Sequence, residues 1–418
     1  MLNTLRNAWK IPDLRQKMLF TLGMLIIFRF GVVVTVPGMD IVKLSQFVGN
    51  NSLIQFFDTI SGGAFSNFSI FAMNITPYIT ASIILQLLTI AIPSLEALSK
   101  EGEEGRRKLA QYTRYATVIL ALVQALALGY GLRGYMLSSS VWNILLVAIV
   151  LTAGTAFLMW LGELINERGI GNGISLIIFA GIVSRLPLEL TRIFKLWQAG
   201  TTGIVEIILF GVFAVLIIAA VVYIQEGQRR IPVQYAKRVV GRKMYGGQSS
   251  HIPLKVNQAG VIPVIFAMSL LQFPAQIAAF FPNSAVNRFL TNYFSFGTWA
   301  HSIFYALLIV GFTYFYTAVT FNPIEVANNI KKYGGFIPGI RPGKPTSDFI
   351  SKSLSRITLV GALFLAAIAI IPTVLAQFTT IQLAFGGTSL LIVVGVAMDF
   401  IKQVEAQMIM RNYQGFLK

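Results

Sequence analysis

Few residues in this 418-residue chain could do chemistry, and the most conspicuous is a carboxylate in an apolar place. Asp58 sits inside the stretch Leu53–Ile92, together with the pair Gly62-Gly63 and Asn67. A carboxylate near the centre of a bilayer costs about 2.5 to 3.5 kcal/mol, so a helix carrying it should not span. The chain gives this group no catalytic company. Zero cysteines exclude disulfides and thiolate metal sites, and the two histidines, His251 and His301, leave little for imidazole chemistry. There is no G-x-x-x-x-G-K-[ST] phosphate cradle and no His-x-x-x-His. No paired carboxylates or Ser/His constellation falls within an apolar segment. Neither an enzyme nor a cofactor is therefore expected, and any energy must come from a partner or a gradient.

The elements around Asp58 are those of a membrane protein. The chain is 55% hydrophobic and only 12% charged, against about 25% charged for a soluble domain. Runs long enough to cross about 30 Å of hydrocarbon are Met18–Val36, Ile75–Ile92, Ala110–Leu132, Val141–Leu161 and a weaker fifth from Ile174. The second half adds Ile204–Ile224, Val256–Phe281, Ser302–Phe321, Ile357–Val374 and Ile381–Met398. The first run lacks a small-residue cleavage pattern and reads as a retained span, not a signal peptide. Counted this way, 26 of the 33 lysines and arginines fall on one side, which the positive-inside rule makes cytoplasmic, with both termini there. An extra span before Phe71 would put the basic loops on opposite sides. Residues 53–71 therefore read as a re-entrant piece, and irregular backbone at membrane depth survives only inside protein or against a water-filled cavity.

Ten segments split into two fives, and an odd number per half makes any structural repeat inverted. The expected halves are residues 1–200 and 201–418. Backbone-breaking residues fall at matching places: Gly62, Gly63 and Pro77 at segment two, Gly169, Gly171 and Gly173 at five, Pro263 and Pro274 at seven, Gly386 and Gly387 at ten. Those four segments should line a central path. An inverted-repeat secondary transporter is the alternative, but it needs an ionisable or ion-binding group at midplane, and the cores of segments two, four, seven and eight are free of charge. Isoleucines recur on the expected path, and an apolar constriction gates by dewetting. Isoleucine also packs or faces lipid, and spacing alone leaves both readings open. The loops 225–255 and 322–356 are basic and punctuated by Gly334-Gly335, Pro338-Gly339 and Pro342-Gly343. They should be ordered and suited to anionic partners such as ribosomal RNA, an acidic protein surface or anionic lipids, with no specific DNA.

Five long stretches carry a specific likeness: SGGAF with PYITASIILQLL, ERGIGNGISLIIFAGIV, QRRIPVQYAKR leading to PLKVNQAGVIPVIFA, GGFIPGIRPGKPT, and GGTSLLIVVGVAMDF. In order and over essentially the whole chain, they resemble the SecY family, the central subunit of the bacterial protein-conducting channel. The resemblance implies an all-α polytopic fold: ten transmembrane helices in two pseudo-symmetric, inverted halves of five around a central pore, with a short re-entrant plug helix. It implies translocation of unfolded secretory polypeptides across the inner (cytoplasmic) membrane and lateral release of membrane segments.

Carried over by motif, the family's pore ring falls on Ile75, Ile79, Ile174, Ile178, Ile265 and Ile392. The plug falls on about 54–68, with Phe57, Ser61, Gly62, Gly63 and Phe65. The polar cluster of the lateral gate, between segments two and three on one side and seven and eight on the other, falls on Gln86 and Asn257. Docking sites for the motor ATPase SecA and the translating ribosome fall on Arg229, Arg230, Lys237, Arg238, Arg341 and Lys344. Small membrane subunits similar to SecE and SecG are implied as partners, and a signal-bearing unfolded polypeptide as substrate. Asn74 stands where many members of the family have glycine.

Overall fold

Each apolar segment is carried by a helix in the computed structural model, which describes residues 2–50, 58, 61–138, 140–201, 203–235, 238–240, 243–245, 249–280, 284, 285, 289, 293, 298–375 and 387–415. In chain order the ten helices are Pro12–Gly31, Thr76–Ala91, Glu103–Gly131, Val141–Arg168, Gly173–Gln198, Ile204–Glu226, Ile262–Phe280, Trp299–Thr320, Lys344–Leu375 and Gly387–Gly415. Among the described residues, six helices are long and apolar enough to cross a membrane on length and composition alone. Segment two makes a seventh if joined to Pro93–Lys100 across a 100° bend. Of the others, segment one carries Asp13, Arg15, Lys17 and Arg29 within its helix. The chain is a multi-pass membrane protein.

Local chemistry sets the helix starts. Segment five begins after Asn172, whose side-chain oxygen accepts from the backbone N–H of Ile174 and Ser175 at 3.1 and 3.2 Å, a standard N-cap. Segment two begins after Ile75 with Pro77 in its first turn, where the missing N–H costs nothing. Just before it, Asn74 has φ +51°, a left-handed conformation open chiefly to glycine and asparagine.

Several boundaries differ from the hydropathy reading, for two physical reasons. Segments three and nine start at Glu103 and Lys344, not Ala110 and Ile357, because hydropathy marks only the stretch in hydrocarbon while the hydrogen-bonded helix runs on into the polar layer. Segment one ends at Gly31, not Val36. The β-branched run Val32-Val33-Val34-Thr35-Val36 disfavours helix and instead joins the re-entrant stretch: Val36 donates to the Phe68 carbonyl and Ile70 to the Val34 carbonyl, both at 2.9 Å. Segment seven starts at Ile262, six residues after the expected Val256. The described part of segment ten starts at Gly387, so its expected start at Ile381 lies outside the described residues.

The main core is one apolar cluster drawn from segments one, two, four to ten. The two basic loops form a second body that the sequence reading did not resolve. Strand β1 (Gln228–Tyr235) pairs antiparallel with β4 (Ser249–Lys255), and also with the short β5 (Gly335–Phe336) through Gln234↔Phe336 and Tyr235↔Gly335. Strands β2 (Arg238–Val240) and β3 (Lys243–Tyr245) form a separate hairpin. Alternation on β1 turns Ile231 and Val233 inward, where they pack with Leu254, Ile337, Ile350 and Leu354. The 225–255 and 322–356 loops are thus one folded unit.

Candidate functional site

Segment five reads the central path in order, because a helix rises about 1.5 Å per residue. At its start, Asn172 and Ser175 help line a cavity of about 200 Å³ with Gly171, Gly260, Asp399 and Gln403. Ile174 lies between Asn172 and Ser175 in sequence, and Ile178 follows one helical turn on. Beyond them, Gly181 and Arg185 meet the re-entrant stretch. From Ile174 to Arg185 the helix covers about 16 Å. The cavity and the apolar level thus share the start of this helix, and the re-entrant stretch lies further along it.

All six isoleucines named from the motifs come together at the apolar level. Ile75 and Ile79 lie at the start of segment two, with the Ile79 N–H donating to the Ile75 carbonyl at 3.1 Å. Ile265 comes from segment seven and Ile392 from segment ten. Five are buried, from 0% exposed at Ile392 to 7% at Ile79, and Ile174 is half-buried against them. An ion entering this cluster would lose its water and gain no ligand from these side chains.

The described part of the re-entrant stretch is a series of tight turns seated against segments one and five. Phe57 lies outside the described residues, while Asp58 is helical. Ser61, Gly62 and Gly63 are buried, and Phe65 packs edge-on to Phe68 at 6.3 Å. Gly62 has φ +69°, and a Cβ there would lie 2.9 Å from the Gly181 Cα and 2.6 Å from the Arg29 guanidinium; only glycine fits this approach. Two arginines that the sequence reading passed over, Arg29 and Arg185, hold this stretch. Their signal was the cost of a cation within an apolar helix, which marks function by default.

The helix of segment seven packs against those of segments two and three. Gln86 and Asn257, the polar residues named for that seam, are not bonded to each other. Gln86 donates to the Ser82 hydroxyl at 3.3 Å, while its own oxygen and both amide atoms of the buried Asn257 have no partner. Gln124 of segment three adds a buried, unpartnered amide nitrogen that the motifs did not indicate.

On the folded loops, Arg229 and Arg230 are exposed on β1. Lys237 and the side chain of Arg238 lie outside the described residues. Arg341 and Lys344 are exposed at a rigid tip, where the Thr346 hydroxyl donates to the Arg341 carbonyl at 2.9 Å.

The SecY family model matches residues 69–401. A protein translocase subunit SecY of Halalkalibacterium halodurans is 50% identical, with 100% of both chains covered. Among solved structures, a protein-conducting channel matches with TM-score 0.71 at 21% identity, over 94% of this chain and 93% of that one. A SecY channel whose plug domain stabilises the closed state and maintains a membrane seal matches with TM-score 0.68 at 21% identity, over 94% and 92%. Sec61 of the canine ribosome–channel complex matches with TM-score 0.66 at 19% identity, over 94% and 93%. With ten helices, an apolar level beside a cavity, a re-entrant stretch, and a full-length relative at half identity, the chain belongs to the SecY family of protein-translocating channels.

Proposed function

We propose that the six isoleucines are the constriction through which this channel passes unfolded polypeptide, and that the re-entrant stretch from about residue 54 to 68 is the plug that closes it. One observation carries the reading: branched side chains from four separate segments join one apolar cluster, beside a cavity of mixed polar and apolar lining and with the re-entrant stretch further along segment five. Apolar side chains can fit around a chain of any sequence because they need no particular hydrogen bond from it. The channel itself performs no catalysis, and the work comes from a motor ATPase such as SecA or from the translating ribosome.

The folded basic loops are the docking surface, with Arg229, Arg230, Lys237, Arg238, Arg341 and Lys344 as its anchors. Exposed arginines on a rigid sheet and turn suit phosphate or carboxylate partners, and a ribosome-bound structural neighbour supports that use. The seam where segment seven meets two and three is the lateral gate, where Gln86 bonds only within its own helix and the amide of Asn257 has no partner, so Gln86 and Asn257 do not bond across it. The halves divide at the turn between segments five and six, at residues 200/201. Both termini and the basic loops face the cytoplasm of the inner membrane, and small subunits similar to SecE and SecG complete the assembly beside anionic lipids.

Because the chain has no cysteine, one experiment tests the path. A cysteine replaces Ile265, a second variant carries it at the equally buried Leu151 as an off-path control, and a precursor with a cysteine in its mature region is stalled in transit. Disulfide formation at position 265 alone is the expected result. Crossing of the precursor with no bond at either position would reject the mapped constriction.

A further inference from the structure

The re-entrant stretch is attached to its seat by charge. The Asp58 carboxylate is buried, with its side chain 6% exposed, and forms an ion pair with the Arg185 guanidinium of segment five. Its other oxygen accepts from the Ser66 backbone N–H at 2.7 Å, and its carbonyl accepts from the Gly63 N–H at 2.8 Å. Arg185 also donates to the Ser66 hydroxyl at 3.1 Å. From segment one, Arg29 donates to the Gly62 carbonyl at 2.8 Å. Two cations on two fixed helices thus grip one short stretch at a carboxylate, a hydroxyl and a carbonyl.

We propose that Asp58, Arg185 and Arg29 are a charged latch that positions the plug and sets how readily the channel opens. The proposal rests on the plug reading above. The described residues at the grip itself are mostly small and polar, Ser61, Gly62, Gly63, Ser66 and Asn67, while Ala64 and Phe68 pack into the two apolar clusters, so the charges act on top of an apolar hold. Attraction between buried charges is strong only while water is excluded. Moving from an effective dielectric near 20 to that of water weakens it about fourfold. A latch of this kind holds firmly in the sealed channel and fails once a substrate admits water, so opening becomes abrupt. With Asp58 away, Arg185 keeps Glu189 as its nearby acid and Arg29 as a weaker like charge, so it loses its direct ion pair but not all opposing charge.

The test uses the full chain in its native membrane complex, reconstituted into vesicles, with two readouts: idle ion conductance, and transport of a precursor whose signal sequence is defective. Asp58→Asn and Arg185→Gln should each raise idle conductance roughly tenfold or more, as a buried pair that loses one partner shifts its equilibrium, and both should admit the defective precursor. The exchange Asp58→Arg with Arg185→Asp should recover most of the seal, which a merely misfolded channel would not do. A smaller leak is expected from Arg29→Met, since it loses a bond to a neutral carbonyl. A third probe, Ser61→Cys with a membrane-impermeant maleimide, tests the plug itself: this buried position should become reactive only while a precursor is engaged. If it does, yet the charge variants neither leak nor relax signal selection, the latch is wrong and the plug reading stands. If it stays protected while precursor crosses, both fall.

Discussion

Truncating Ile392 to alanine separates a seal from an ordinary core. Ile392 and Leu151 are both 0% exposed, but Ile392 belongs to the central cluster and Leu151 to a second one, built with Val36, Leu44, Phe68 and Ala125. Either truncation removes three carbons, which at about 0.8 kcal/mol per buried methylene is a transfer loss of about 2.4 kcal/mol. The residual cavity brings the total into a range of about 2 to 5 kcal/mol. The two variants should therefore be destabilised alike. They differ in which equilibrium bears the loss. Leu151 stays buried whether the path is open or closed, so its truncation acts on folding alone. If the six isoleucines form the constriction proposed above, Ile392 is packed only while the ring is shut, and the transfer loss alone raises the open fraction about 60-fold. Idle ion conductance in reconstituted vesicles, measured beside thermal unfolding, reads both effects. The conservative Ile392→Val, at about 0.5 to 1.5 kcal/mol, should leak about 2- to 13-fold above wild type. Equal conductance from the Ile392 and Leu151 variants, or a silent Ile392→Ala that is destabilised to the same degree, would refute the argument.

Three further outcomes are expected. Gly173→Ala should prevent stable assembly of segments four and five, because its Cβ would lie 2.1 Å from the Gly162 carbonyl oxygen on fixed backbone; yield and melting of the purified chain will show a loss of about 3 kcal/mol or more. Arg341→Glu should weaken ribosome binding in co-sedimentation and flatten its salt dependence by about one charge, while membrane insertion and melting stay as in wild type, since Arg341 is exposed. Asn74→Gly should be tolerated and Asn74→Val should cost about 1 to 2 kcal/mol in thermal unfolding, because only the former suits φ +51°.

What could be read from the sequence follows from how far each signal reaches along the chain. Apolar length and the placement of lysine and arginine are local, and they yielded ten segments and a re-entrant stretch without an extra span. The isoleucines needed more than spacing: the period of a helix puts Ile75 beside Ile79 and Ile174 beside Ile178, but nothing local says that the two pairs meet Ile265 and Ile392. The inverted-repeat reading put segments two, five, seven and ten on one path, and the motif resemblance turned the isoleucines there into a ring. The strand β1 was legible in principle, since Ile231 and Val233 alternate with exposed neighbours, yet the loops were expected only to be ordered, without a strand. Val32–Val36 was mistaken for helix because an apolar β-branched run satisfies a hydropathy window in either conformation, and its partner, Phe68–Ile70, lies in another segment.

The latch shows why the remaining gap has a physical cause. Asp58 was visible as an expensive carboxylate, while Arg29, inside segment one, and Arg185, counted with the charges outside the segments, were passed over. Burial of a charge in an apolar setting is tolerable when it is paired, so each of the three announced that a partner existed. Which partner it was depends on how segments one and five close around the re-entrant turns, and that in turn depends on Gly62 letting backbone approach Gly181 to within contact. The glycine pair, read from sequence as a mere interruption of helix, is therefore what allows the two arginines to reach the carboxylate and the Gly62 carbonyl. A residue larger than glycine at position 62 would separate the seat from the plug and leave the buried Asp58 and the two half-buried arginines without their partners. That dependence makes the backbone turn and the ion pair one device, and it ties the irregularity of the stretch directly to the sealing of the path.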